Sequence, residues 1–164
     1  MRTRFLFILL TSVFLFTGTL TSFAVDYNGT WVANLEKSQL GRTQLKSYVM
    51  KVEETAPNSF LVTFDTERSD GQKTHQQFMR IYDGQEHAIY SDGKEHPGIP
   101  RDATETCTQV DPLTRHIVAK NGEKVIFVLD AKMEPDEKTM ITRRTFYAPD
   151  GQKSEAQVIV WERR

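Results

Sequence analysis

Only one cysteine, Cys107, occurs in the 164 residues, so no intramolecular disulfide can staple this chain. Its fold must rest on a core. The segment ATETCTQVD reads as part of a strand, with no neighbouring histidine in sequence to lower the thiol pKa, so Cys107 reads as packing rather than a nucleophile. Charge of one sign is equally scarce: 21 basic and 22 acidic residues give a formal net charge of -1. That balance leaves no basic footprint for nucleic acid or an anionic membrane. Phosphate-loop glycine spacing and a nucleophile-elbow frame around any serine are also missing. After the first 24 residues, no segment keeps a helical apolar period for three turns. NLEKSQLGRTQL holds at most a short turn or helix around Leu35 to Leu40, which Gly41 stops.

One long apolar run is present, at the N-terminus. Arg2 and Arg4 precede an apolar stretch from Phe5 to Phe16, and Ser22-Phe23-Ala24 places small residues three and one before a cut after Ala24. This pattern predicts a cleaved secretory signal over 1–24 and a single domain over 25–164, with a periplasmic or extracellular location in a bacterium. A membrane anchor is disfavoured, because a spanning helix needs about 20 apolar residues, and no cysteine near the cut offers a site for lipid attachment. Loss of Arg2 and Arg4 leaves 19 basic and 22 acidic side chains, a formal charge near -3. No transmembrane segment is expected after cleavage.

The remaining chain alternates short apolar-polar segments with turn signals. KSYVMKVEE sets Tyr48, Met50 and Val52 on one face, and NSFLVTFDTE does the same for Phe60, Val62 and Phe64. Asp-Gly and Asn-Gly pairs, together with TAPN and PDGQ, punctuate the series, supplying the positive-φ positions of tight hairpins. The last hairpin joins KTMITRRTFYA to SEAQVIVWERR, with strands expected to reach eight residues or more. Short links demand antiparallel neighbours. The expected fold is all-β, an antiparallel meander of about eight to ten strands closed into a barrel, since closure removes exposed edges; a sandwich is the second reading.

Gly29-Thr30-Trp31 near the start and VIVWERR at the end carry a resemblance. A Gly-X-Trp on the first strand resembles the lipocalins and the wider calycin group, in which the tryptophan closes one barrel end beneath a basic residue of the last strand. By that resemblance Gly29, Trp31 and Arg163 are the barrel-closing set, with Arg164 the alternative cover. Asn28 to Trp31, Lys37-Ser38, Tyr48 to Glu53, Asp70-Gly71, Tyr82 to Gly84, Pro97 to Pro100 and Val160 to Glu162 are together similar to small exported bacterial lipocalin-like proteins of unassigned function. That likeness implies a lipocalin-like barrel and an exported chain, and it implies no catalytic residue.

Chemistry-bearing groups are few. YDGQEHAIYSDGKEHPGIPRD repeats Asp-Gly-X-Glu-His, which raises a metal or acid-base site from Glu86, His87, Glu95 and His96. Period two splits Glu86 from His87 across a strand, so a shared site must instead pair His87 with His96 across a hairpin, with His75 or Asp102 joining. Zinc needs three or four ligands, and no third appears at a recognisable spacing. Turn and rim positions are the favoured reading, and neither a metal nor a cofactor is assigned.

A binding site has the stronger case. An eight-stranded barrel either fills with side chains or holds a small ligand. Tyr48, Phe60, Phe64, Phe78 and Phe146, with Met50, are candidates for its inner wall, and Arg80 and Arg144 share parity with Phe78 and Phe146. A buried arginine is costly unless paired; it either meets an internal glutamate or holds the carboxylate of an apolar ligand. The sequence therefore favours an exported noncatalytic barrel whose partner is a small hydrophobic or amphipathic molecule. Two alternatives stand beside it: a structural or protein-interaction barrel with a filled core, and an envelope enzyme or metal-binding protein using His87 and His96.

Overall fold

The computed structural model describes residues 25–41, 44–89 and 99–164. The expected signal at 1–24 and His96 lie outside the described residues. Ten strands follow in order: β1 (Gly29–Gln39), β2 (Leu45–Ala56), β3 (Ser59–Arg68), β4 (Lys73–Ile81), β5 (Glu86–Ala88), β6 (Thr104–Asp111), β7 (Thr114–Asn121), β8 (Lys124–Met133), β9 (Thr139–Phe146) and β10 (Gln157–Arg163). All pair antiparallel in one sheet, ordered β4-β3-β2-β1-β10-β9-β8-β7-β6-β5. Because β1 pairs with both β2 and β10, the first and last strands meet and the meander curls into a nearly complete lipocalin-like barrel. The two-sheet sandwich does not form.

The free ends of the sheet are β4 and β5, so a seam runs between β4 and the β5–β6 pair. It is crossed by an ion pair, Arg80 Nε to Glu105 Oε1 at 3.5 Å, from β4 to β6. A backbone bond from Gly84 N to Cys107 O, 3.1 Å, ties the chain just after β4 to β6. The seam is thus held by a few discrete contacts where the other strand boundaries have full ladders.

Period-two alternation places Met50, Val52, Phe60, Val62, Phe64 and Phe78 inside, as the sequence pattern predicts. On the other side of the barrel Ile117, Leu129, Met140 and Ile159 face them, also buried. Positive φ calls for glycine at several turns and strand starts, Gly29 and Gly122 among them. Gly29 has φ 123°, with nothing within 4 Å of a Cβ built there, so its requirement is backbone freedom and not space. Gly122 has φ 57° in the Asn121-Gly122 hairpin between β7 and β8.

The short helix or turn expected around Leu35 to Leu40 is instead the second half of β1. A bulge explains the misreading. The register against β10 jumps between Asn34 and Gln39. Inside the jump Ser38 Oγ donates to Asn34 O at 2.6 Å and Lys37 N donates to Asn34 Oδ1 at 3.1 Å, local bonds of helical spacing held within an extended strand. Ser38 Oγ also accepts from Val160 N at 3.0 Å, which returns the bulge to the sheet. The last strand, β10, spans seven residues, shorter than expected.

Candidate functional site

The first strand begins at the closed end of the barrel. Trp31 is fully buried, and its indole Nε1 donates to Tyr27 O at 3.1 Å. Arg163 pairs with Trp31 in the β1–β10 register and lays its guanidinium 4.7 Å from the ring centroid. Arg163 also donates to Asp26 O and pairs with Asp26 Oδ2 at 3.5 Å. The cation therefore covers the plate while a carboxylate answers its charge. Gly29, Trp31 and Arg163 meet here.

Deeper in the barrel, the β7 residue Arg115 is caged by aromatic rings. Its guanidinium carbon lies 3.5 Å from the Tyr27 ring centroid and 4.2 Å from those of Phe60 and Tyr82. Nε donates to Gln109 Oε1 at 2.9 Å. Burial pulls the Arg115 pKa below its ordinary value, against the opposing influence of Tyr82 and Tyr27. A central space of about 40 Å³ separates this cage from the far half of the interior.

That far half holds the larger enclosed space, a chamber of about 150 Å³. Phe64, Phe78, Phe127 and Phe146, with Ile89 and Ile99, supply apolar wall, and Arg80, Glu105, Arg144, Tyr48 and Gln76 supply the polar groups. Register explains the convergence. Phe146 of β9 faces Phe127 of β8, Phe127 faces Ala119 of β7, and Ala119 faces Glu105 of β6, so one layer of inward side chains runs to the seam. Alanine at 119 leaves room in that layer.

The two chamber arginines differ. Arg80 is 6% exposed and its partner Glu105 2%. Burial is the largest influence and opposes the charge on Arg80, but Glu105, joined by Tyr82, Cys107 and Tyr48, outweighs it and the pKa sits above its ordinary value. The pairing is incomplete, because Arg80 Nε and both Glu105 oxygens lack a hydrogen bond. Arg144 lines the chamber as well and is only part-buried, more accessible than Arg80. It stacks 5.3 Å from the Phe127 centroid and 5.7 Å from that of Phe146, with no ion pair among the described residues. Burial lowers its pKa and nearby Arg80 lowers it further, partly countered by Tyr48 and by the more distant Glu105 carboxylate. Cys107, beside this group, has its thiol pKa raised by burial first and by Glu105 second, as suits an inert packing residue.

Of the candidates for the inner wall, Tyr48, Phe64, Phe78, Arg80, Arg144 and Phe146 are brought together around the chamber. Phe60 is inward but belongs to the Arg115 cage. His87 bonds Asp83 through Nε2 at 3.0 Å and His75 bonds Asp65 through Nδ1 at 2.7 Å on another strand pair, so these two histidines do not converge. Among the described residues no group of three or more His, Cys, Asp or Glu side chains is placed to hold a metal ion. Sequence reasoning missed Glu105 and Arg115. The available signal was parity: Glu105 alternates with Cys107, and Arg115 with Ile117 and Ala119, on strands whose apolar positions are buried.

No protein-family model matches this chain, and no curated protein matches it. Solved structures do. The crystal structure of wild-type fluorescent protein UnaG aligns with a TM-score of 0.52 at 11% identity, over 84% of this chain and 97% of that one. The structure of EF1p2_mFAP2b bound to DFHBI aligns at 0.37 and 11% identity, over 84% and 93% of the two chains. The first likeness shows a shared barrel fold, which the lipocalin-like resemblance in the sequence anticipates. Among the described residues no helix is long and apolar enough to cross a membrane.

Proposed function

We propose that this chain is an exported, noncatalytic binding barrel of a bacterial envelope, holding a small, partly apolar anion in the chamber between Phe64, Phe78, Phe127 and Phe146. One observation carries the reading: Arg144, part-buried, stacks against two phenylalanine rings with no ion pair among the described residues, beside the chamber. A fold that retains an uncompensated cation there forgoes stability, and a bound anion returns it. The volume, below the roughly 300–1,000 Å³ of pockets for drug-sized ligands, restricts the occupant to a small molecule. Export rests on the pattern of Arg2, Arg4, the apolar run and Ser22-Phe23-Ala24. The structural likeness to a fluorescent protein supports the barrel and says nothing of its contents.

A barrel with a structural or protein-interaction role is the second reading, favoured by the central space of only about 40 Å³. Native mass spectrometry of the protein purified from its own host, joined to titration with benzoate, separates the two. Trp161 lies 4.8 Å from the ring of the chamber residue Tyr48 and reports binding by its fluorescence. A retained organic acid, or saturable quenching that Arg144→Met abolishes, supports the binding reading. A bare mass with no fluorescence response overturns it in favour of the structural barrel.

A further inference from the structure

The chamber contains a second recognition element. Glu105 lines it and is only 2% exposed, yet neither carboxylate oxygen accepts a well-formed hydrogen bond, the weakly donating Cys107 thiol being its neighbour. Its ion-pair partner approaches only to 3.5 Å. Buried carboxylate oxygens normally accept two or three hydrogen bonds, and leaving them without donors is costly. Resting on the binding reading above, we propose that the ligand is a monoanionic carboxylate that also carries a hydrogen-bond donor, a hydroxyl or an amine. Arg144, with the Tyr48 hydroxyl, takes the carboxylate, and Glu105 accepts from the donor.

The charge inventory sets the ligand charge. Among the described residues Arg80 and Glu105 offset one another, so Arg144 leaves the lining one positive charge in excess. One carboxylate balances that excess, whereas a second brings an unpaired anion beside Glu105. The phenylalanine walls require an apolar body between the two polar ends. A small aromatic hydroxy acid has all three features, and an unsubstituted acid lacks the donor.

Titration of Trp161 fluorescence with benzoate, the three hydroxybenzoates and 4-methoxybenzoate tests the assignment. At least one hydroxybenzoate is expected to bind about ten-fold or more tighter than benzoate, the size of a hydrogen bond to a charged group. The methoxy analogue, without a donor, is expected to show no such gain. The double variant Arg80→Met/Glu105→Leu removes both charges and so leaves neither buried alone, and its readout is the ratio of hydroxybenzoate to benzoate affinity. There the hydroxyl preference falls below about three-fold. Benzoate binding as tightly as every hydroxybenzoate overturns the donor assignment and leaves the anion reading standing. A hydroxyl preference that survives in the double variant overturns the role of Glu105. Failure of all five acids to bind, with a bare native mass, overturns the binding reading itself.

Discussion

Arg163 and Arg144 both lay a guanidinium on aromatic rings, at different places in one barrel, and the contrast separates closure from function. Arg163 sits on Trp31 with Asp26 at 3.5 Å and a side chain 24% exposed, so its charge is answered by both a carboxylate and water. Arg144, also only part-buried, sits among Phe127 and Phe146 with no ion pair among the described residues. The first arrangement stabilises the fold at little desolvation cost, while the second keeps a cation where an aliphatic side chain of similar length would pack more favourably. A fold needs the first and has no use for the second unless something binds.

The closed end is where the largest loss is expected. Trp31→Ala removes a fully buried indole and its hydrogen bond to Tyr27 O, and urea unfolding should show a loss of about 4 kcal/mol. If the loss is under about 1 kcal/mol, Trp31 does not seal the barrel. At the chamber, Arg80→Met leaves Glu105 buried and alone across the seam, with an expected loss of about 3 kcal/mol. Adding Glu105→Leu removes the stranded charge, and stability should return to within about 1 kcal/mol of the parent protein. A double variant no more stable than the single one would show that the pair holds the seam by attraction and not merely by mutual neutralisation.

Strand alternation and turn chemistry made the barrel readable, because each hairpin is a local decision: Asn121-Gly122 reverses the chain and Phe60, Val62 and Phe64 choose a face without reference to distant residues. The bulge in β1 was not readable. Asn34 and Ser38 form bonds of helical spacing, and only the β10 partner Val160 keeps them in a strand. The chamber was half legible for the same reason. Parity put Arg80 and Arg144 inside, but the pairing of Arg80 with Glu105 depends on two strands meeting across a seam 25 residues apart in sequence, with no ladder between them to fix a register. The sequence contains the choice between a paired and an unpaired arginine, and only closure of the barrel makes it.

A smaller effect, opposite in sign, is expected at Arg144. Arg144→Met keeps much of the length of the side chain and removes a part-buried cation with no ion pair among the described residues, so stability should rise by about 1 kcal/mol while affinity for small carboxylates disappears. Thermal unfolding without ligand and fluorescence titration with benzoate measure the two halves of that exchange. A variant that loses stability and keeps its affinity would place Arg144 in the same structural class as Arg163.

The smallest effect belongs to Arg163 itself. Arg163→Met keeps much of the packing on Trp31 and gives up the cation–π contact and the Asp26 pair, with an expected loss of about 0.5–1 kcal/mol. Its sharper signature is in acid. Burial works to raise the Asp26 pKa, but bonds from the Asn28 backbone and side chain and the Arg163 charge outweigh it, so Asp26 titrates below its ordinary 3.8. A carboxylate depressed on folding contributes stability that is present above its unfolded pKa and lost as pH falls through the folded one. In Arg163→Met the Asp26 pKa, followed by NMR, should move upward, and the acid limb of the stability profile should flatten below pH 3.8 because less is left to lose. An unmoved Asp26 would mean that Asn28 alone holds the carboxylate, leaving Arg163 bound to the closed end through Trp31 and the backbone carbonyl of residue 26.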